Sequence, residues 1–415
     1  MTVSKNDPFD VLTATPSSLQ ALLATGRLTS MEIIEGYLQQ ISEHNSSGAK
    51  LRTMIPAAPS NEEHAKGEVR RPLHGIPIIV KAAFNTSYNL GILTTVGAYA
   101  LIDSRPVDNA ALIKRVSQCL MYSTRRLLAP GGSSTGSTVG VAAGFSPISL
   151  GIETSGSLTT SASRAALYAL KLTPGSVNMD RVWQVAASFD TAGGMAKSVA
   201  DIACLSNILL QHAHPERSLL VDAMQEDWKG ISVGFVDVEL SRLPPEARDL
   251  VPGYNEQTVR LPFKLACTRV AHPVYITPPE NCLAEGGTNV DDLMDDIMRT
   301  QARDESSFFC LDGLENAKIK SLQDIIDFNS ANEVKEFHPI IEEDGVDVIV
   351  APCDSFFAGV GVAGRYPLAS IPFRYVKSSG RPYGLHVIAR ANEENKIIKF
   401  ISVWERPYHH VKFLI

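Results

Sequence analysis

Residue types able to do chemistry crowd into one stretch, Gly131-Gly-Ser-Ser-Thr-Gly-Ser-Thr138. Gly131 and Gly136 have the spacing of a phosphate-binding loop and Thr138 fits its last position, but Ser137 stands where the phosphate-binding lysine belongs. Gly132-x-Ser134-x-Gly136 also fits the Gly-x-Ser-x-Gly turn that exposes a nucleophilic serine. That turn needs a strand leading into it and an acid and a histidine later in the chain. Leu128-Ala-Pro-Gly131 makes a poor strand, and His386, the available base, lies in Gly-Leu-His-Val-Ile, where a core strand residue is the simpler assignment.

These residues need elements to hold them. Ser17 or Ser18 is placed to cap a helix carrying Leu19, Leu22 and Leu23, with Gly26 as its stop. Thr29-x-x-Glu32 has the form of a capping box, followed by Ile33, Ile34, Tyr37, Leu38 and Ile41 at helical spacing. The apolar run Gly75-Ile-Pro-Ile-Ile-Val-Lys81 predicts a buried strand, as do Ser232–Val236, Val270–Ile276 and Val346–Val350. Between them Ser198 is placed to cap a helix over Val199–Leu210, and Val290, Leu293, Met294, Ile297 and Met298 form another amphipathic pattern. Strands alternating with helices predict an α/β architecture, and no interdomain linker interrupts residues 1–415.

Composition narrows the class of function. With 38 basic against 45 acidic residues the net charge is −7, which argues against a partner bound through a general positive field, nucleic acid included. From Leu127 to Ile152 the chain has no charge, but its Gly, Ser, Thr and Pro content does not suit a membrane span. The six cysteines form no Cys-x-x-Cys pair and are expected to be free thiols; with no apolar leader at the amino terminus, a cytoplasmic location is expected. The cluster Asp291, Asp292, Asp295, Asp296 lacks calcium-loop spacing, and His212-x-His214 and His409-His410 lack a partner set, so no metal or organic cofactor is expected.

A third interpretation takes in more of the chain. Gly-Gly-Ser133-Ser-x-Gly-Ser is preceded by the strand ending in Lys81 and followed by Gly151-Ile-Glu-Thr-Ser-Gly-Ser157. Further along stand Gly193-Gly-Met-Ala-Lys-Ser-Val-Ala-Asp201, Asp347-Val-Ile-Val-Ala-Pro352, Tyr366-Pro-Leu-Ala-Ser-Ile-Pro372 and Gly380-Arg-Pro-Tyr-Gly-Leu385. Together with the helix Leu28–Asn45, these ordered segments resemble the amidase signature family of serine hydrolases. The resemblance covers roughly two thirds of the chain and is faint over about 216–341. It implies a mixed β-sheet surrounded by helices in one amidase-like domain: amino-terminal helices over 1–74, a catalytic core over 75–211, a variable middle over 212–345, and closing strands with a carboxy-terminal helix over 346–415.

The resemblance implies a Ser–Ser–Lys triad at Ser157, Ser133 and Lys81. Lys81 would draw a proton from Ser133, which draws one from the nucleophile Ser157. Free lysine titrates near ~10.4, so the base must be desolvated; Ile78, Ile79 and Val80 before Lys81 and Ala82, Ala83 and Phe84 after it are consistent with burial. Thr154, Ser155 and Gly156 would supply the oxyanion hole through backbone N–H groups, with Ser134 beside the substrate. The implied partner is a small-molecule amide, cleaved as a carboxylic amide with esters as secondary substrates. Glutamine-dependent transfer to tRNA is not expected, since nothing points to a tRNA partner.

The chain also departs from the family pattern. Ala82-Ala83 replaces an acidic residue and the Asn that often follows it, Ala166 and Ala169 stand where glycines are usual, and Leu172 where proline is usual. Between the helix near Ala110–Val116 and the first loop the family places a strand, a Gly-Lys-Thr-Asn segment and a pocket-lining loop; only Ser117–Pro130 remains, so loss of a buried strand is expected. A second shortening falls between Phe337 and Ile341. The competing expectation is therefore a degenerate amidase fold, inactive or weakly active, with a binding or vestigial role.

Overall fold

The computed structural model describes residues 9–51, 53–55, 73–92, 94–96, 101, 106–116, 120–124, 131–210, 220–236, 266–267, 346–353, 357–376 and 380–408. The strands are β1 Met54–Ile55, β2 Pro77–Lys81, β3 Leu120–Thr124, β4 Ile148–Glu153, β5 Tyr168–Lys171, β6 Thr191–Ala196, β7 Val233–Val236, β8 Ala266–Cys267, β9 Val348–Pro352, β10 Leu368–Tyr375 and β11 Pro382–Ile388. They form one sheet in the order β1-β3-β2-β4-β6-β5-β10-β11-β9-β7-β8. Pairing is parallel where β2 meets β3 and β4, and where β7 meets β8 and β9; the other contacts are antiparallel. The helices are α1 Pro16–Ala24, α2 Ser30–His44, α3 Ala111–Val116, α4 Thr135–Ala142, α5 Thr159–Ser163, α6 Val199–Leu210, α7 Phe357–Ala363 and α8 Glu394–Tyr408. The mixed sheet with surrounding helices is the predicted architecture.

Two local expectations change. Thr15, rather than Ser17 or Ser18, caps α1: Pro16 occupies the first helical turn, where its missing N–H costs nothing, and Ser18 closes the capping box from inside. The Thr29/Glu32 box of α2 forms as predicted, with the Glu32 carboxylate held below its ordinary range by the Thr29 N–H and hydroxyl. The second change is larger. The short stretch Ser117–Pro130 keeps a strand after all, since Leu120–Thr124 pairs in parallel with all five residues of β2. The predicted strand Val270–Ile276, the helix over 290–298, the Asp291–Asp296 cluster, both histidine pairs and the gap at 337–341 lie outside the described residues.

Alternation along the central strands gives the sheet two unlike faces. One face presents Ile78 and Val80, Ile148, Leu150 and Ile152, Tyr168 and Leu170, and Ala192 and Ala196 to the main apolar core, which α3, α6 and α8 complete. The other face carries the intervening residues: Ile79 and Lys81, Ser149, Gly151 and Glu153, Ala169 and Lys171, Thr191, Gly193 and Met195. Over it lies a small cluster of Val141 on α4, Ala162 on α5, and Leu158 and Leu167. Among the described residues no helix is long and apolar enough to cross a membrane. Neither Cys204 nor Cys353 forms a disulfide.

Candidate active site

Lys81 is the last residue of β2, on the polar face of the sheet. Parallel pairing sets Val80 opposite Leu150, so β2 and β4 deliver Lys81 and the segment after Gly151 to the same end of the sheet, the carboxyl end of both strands. Loops at that end of parallel strands are the usual place for a site in α/β proteins. The backbone around Lys81 is buried and its side chain half-buried, running under the first loop.

The first loop leaves Gly131 at φ +103, passes a cis peptide between Gly132 and Ser133, and turns directly into α4. Lys81 Nζ lies 2.5 Å from Ser133 Oγ and 3.4 Å from the carbonyl of Ile152. Ser133 Oγ lies 3.2 Å from Ser157 Oγ. Amine and hydroxyls thus form a continuous chain, Lys81–Ser133–Ser157, all three members half-buried and reachable from solvent. Ser134 occupies a different place: it is 1% exposed, its N–H donates to the Ser157 carbonyl (3.1 Å) and its hydroxyl to the Ile152 carbonyl (3.1 Å). Both its donors are spent joining the two loops, so Ser134 ties the site together and has no donor left for a substrate.

The second loop, Thr154–Ser157, is gripped at both ends. Upstream, the Thr154 hydroxyl donates to Asp190, whose other oxygen accepts the Val185 N–H at 2.6 Å. Downstream, Glu153 Oε2 accepts the N–H groups of Leu158 (2.6 Å) and Thr159 (2.7 Å), while Oε1 accepts the Thr159 hydroxyl at 3.1 Å. Gly156 sits at φ +77, where a Cβ would also meet Thr160 Oγ1 at 2.7 Å. Burial pushes the Asp190 carboxyl up, opposed by its hydrogen bonds from Thr154 and Val185 and by the charge of Lys81. Ser155 is half-buried on the same turn.

The alternatives raised by the first loop lose their footing here. Ser134, the serine of the Gly-x-Ser-x-Gly turn, is buried, and His386 lies fully buried within β11 opposite Ser370 and Ala351. In the phosphate-loop alternative Thr138 would face a ligand, yet it is buried in α4 with its hydroxyl on the Ser134 carbonyl. The structure adds Glu153, Asp190 and Lys171, which the motifs did not single out. Their signal in sequence is faint: one charged residue in each of Gly-Ile-Glu-Thr, Phe-Asp-Thr-Ala and Ala-Leu-Lys-Leu, where a buried strand would otherwise be uncharged.

Residues 122–306 match the amidase family model. A glutamyl-tRNA(Gln) amidotransferase subunit of Chloroflexus aggregans is 31% identical over 316 residues, 64% of this chain and 64% of that protein. The chain spans about half to two thirds of the length of the curated relatives it matches first. Among solved structures, an amidase family protein from Bacillus anthracis superposes with a TM-score of 0.79 at 20% identity, covering 97% of this chain and 92% of that one. The native peptide amidase of Stenotrophomonas maltophilia gives 0.71 at 22% identity, covering 97% and 98%. In its fold, and over the matched residues, the chain is similar to amidase signature proteins.

Proposed function

We propose that the chain hydrolyses a carboxylic amide through an acyl-enzyme on Ser157, with esters as secondary substrates. The single observation behind this reading is the unbroken chain of short contacts from Lys81 Nζ through Ser133 Oγ to Ser157 Oγ. With Lys81 neutral, its lone pair accepts the Ser133 proton as Ser133 accepts the Ser157 proton. Ser157 Oγ then bonds to the substrate carbonyl carbon. As the tetrahedral adduct collapses, the C–N bond breaks and the proton held by Lys81 returns through Ser133 to the leaving nitrogen, which departs as an amine or ammonia. Water attacks the ester of Ser157 by the same relay, releasing the carboxylic acid and restoring the Ser157 proton. The Thr154–Ser157 turn would hold the oxyanion by backbone N–H groups, a contribution worth about 10²–10³ in rate per donor in other acyl-transfer enzymes.

The test is intact mass after exposure to a fluorophosphonate, with Ser157→Ala as control. One adduct on the parent chain and none on Ser157→Ala is the expected result. A folded parent without adduct would overturn the hydrolase reading and leave a binding or vestigial role. The name carried by the Chloroflexus relatives favours a second reading, in which the same acyl-enzyme releases ammonia for transfer within a larger assembly. Turnover of simple amides by the chain alone separates the two.

A further inference from the structure

Lys171, at the end of β5, is fully buried, and its amine has no hydrogen-bond partner among the described residues. Its place is fixed by register. Gly151, Gly193 and Lys171 form one row across β4, β6 and β5, with Glu153 and Thr191 in the next row. All five residues are on the polar face of the sheet, below Leu158: a Cβ on Gly151 or Gly193 would strike Leu158 at 2.6 and 2.9 Å. An amine sealed from water with nothing to donate to is costly, so its retention calls for a charge partner. Two carboxylates act on it from beyond hydrogen-bond distance. Desolvation pulls the Lys171 pKa down, Arg365 adds to this, and Glu153 and Asp190 both oppose it by attracting the Lys171 charge. These are the same two carboxylates that grip the Ser157 loop at Leu158–Thr159 and at Thr154.

We infer that Lys171 is a positioning residue for acyl transfer: one buried cation, shared by Glu153 and Asp190, holds both ends of the Thr154–Thr159 loop in place around Ser157. The inference rests on the hydrolase reading above. It assigns a role to a side chain that touches neither substrate nor the Lys81–Ser133–Ser157 relay. Loss of the Lys171 charge should loosen the turn that meets the oxyanion while leaving the approach of the reagent unchanged.

The experiment follows fluorophosphonate labelling over time in the full chain and separates the maximal rate, kinact, from the half-saturating concentration, KI. Lys171→Met should lower kinact by about tenfold or more, the scale of a misplaced oxyanion donor, with KI unchanged. A general loss of stability would not produce that split in the folded fraction. Glu153→Gln should also lower kinact, and adding Lys171→Met to it should cost little more, because the two act through one charge–charge interaction. Lys171→Met labelling at the parent rate, or losses that multiply in the double variant, would overturn the inference. Should Lys171→Met give no cooperative melt, the double variant decides, since it removes both buried charges. A folded double variant labelling like Glu153→Gln supports the assignment; an unfolded one assigns Lys171 to the fold instead. A parent chain that does not label points to failure of the hydrolase reading itself.

Discussion

At the scale of single residues, the relay behaves as one unit if Lys81 and Ser133 act in one concerted proton transfer from Ser157. Lys81→Ala and Ser133→Ala should each slow labelling of Ser157, and the double variant should be no slower than the worse single, as for other groups that act together. Multiplying losses would mean that the two side chains act separately. Ala166 offers a second residue-scale test. It holds φ +56 although it carries a Cβ. Left-handed backbone costs a non-glycine residue about 1–2 kcal/mol, against about 0.8 kcal/mol for burying its methyl. Ala166→Gly should therefore leave the melting temperature unchanged or slightly raised, whereas glycine in place of alanine within regular structure costs about 1 kcal/mol. Residues of this kind were unevenly legible in the sequence. Lys81, Ser133 and Ser157 stand in glycine-serine loops whose composition already suits a close-packed turn. Glu153, Asp190 and Lys171 acquire meaning only through the fold, which sets residues of β4, β6 and β5 side by side although 38 positions separate Glu153 from its register partner Thr191.

At the scale of elements, the polar face of β4, β6 and β5 depends on what is missing from it. Gly193 faces Leu158 and the Leu170 carbonyl, and a Cβ there would come within 2.0 Å of that oxygen. A backbone atom cannot swing aside as a side chain does. Gly193→Ala should thus destabilise the chain by at least about 1–3 kcal/mol, read as a lower denaturant midpoint, and should lift Leu158 and with it the Ser157 turn. Unchanged stability with unchanged labelling would mean that β5 and β6 shift apart at no cost. The start of α2 is legible in the sequence because capping is local: Thr29 and Glu32 lie three residues apart and satisfy each other. β3 escaped notice for the opposite reason. Leu120-Met-Tyr-Ser-Thr124 carries no alternation or turn signal of its own, and it becomes a strand because β2 on one side and β1 on the other offer ladders to join.

At the scale of the whole molecule, distant segments are stitched by buried polar groups. Glu394, opening α8, accepts the N–H and hydroxyl of Thr173, two residues beyond Lys171, and Glu405 accepts the Val199 N–H at the start of α6. At the other end of the chain, Asp201 accepts the N–H and hydroxyl of Ser17, and Lys197 donates to the Val11 carbonyl at 3.1 Å. Burial pulls the Lys197 amine down to about 7, against the pull of Asp10 and Asp201. The folded value lies below the unfolded one near ~10.4, so the ammonium is the disfavoured form in the folded chain. The penalty is full below about pH 7 and is relieved as pH rises toward 10. Over that window the parent chain should gain stability relative to Lys197→Met, measured as melting temperature against pH; parallel curves would mean that Lys197 reaches water. The placement of Lys81 has one more consequence, for refolding. Its strand is flanked on both sides by parallel neighbours, and a slip of one residue would turn Lys81 to the apolar face. Circular dichroism sees any sheet, in or out of step. A reagent that reacts only when amine and two hydroxyls line up counts the chains that found the right alignment, so in a refolding time course the gap between the two signals measures how often β2 pairs out of step.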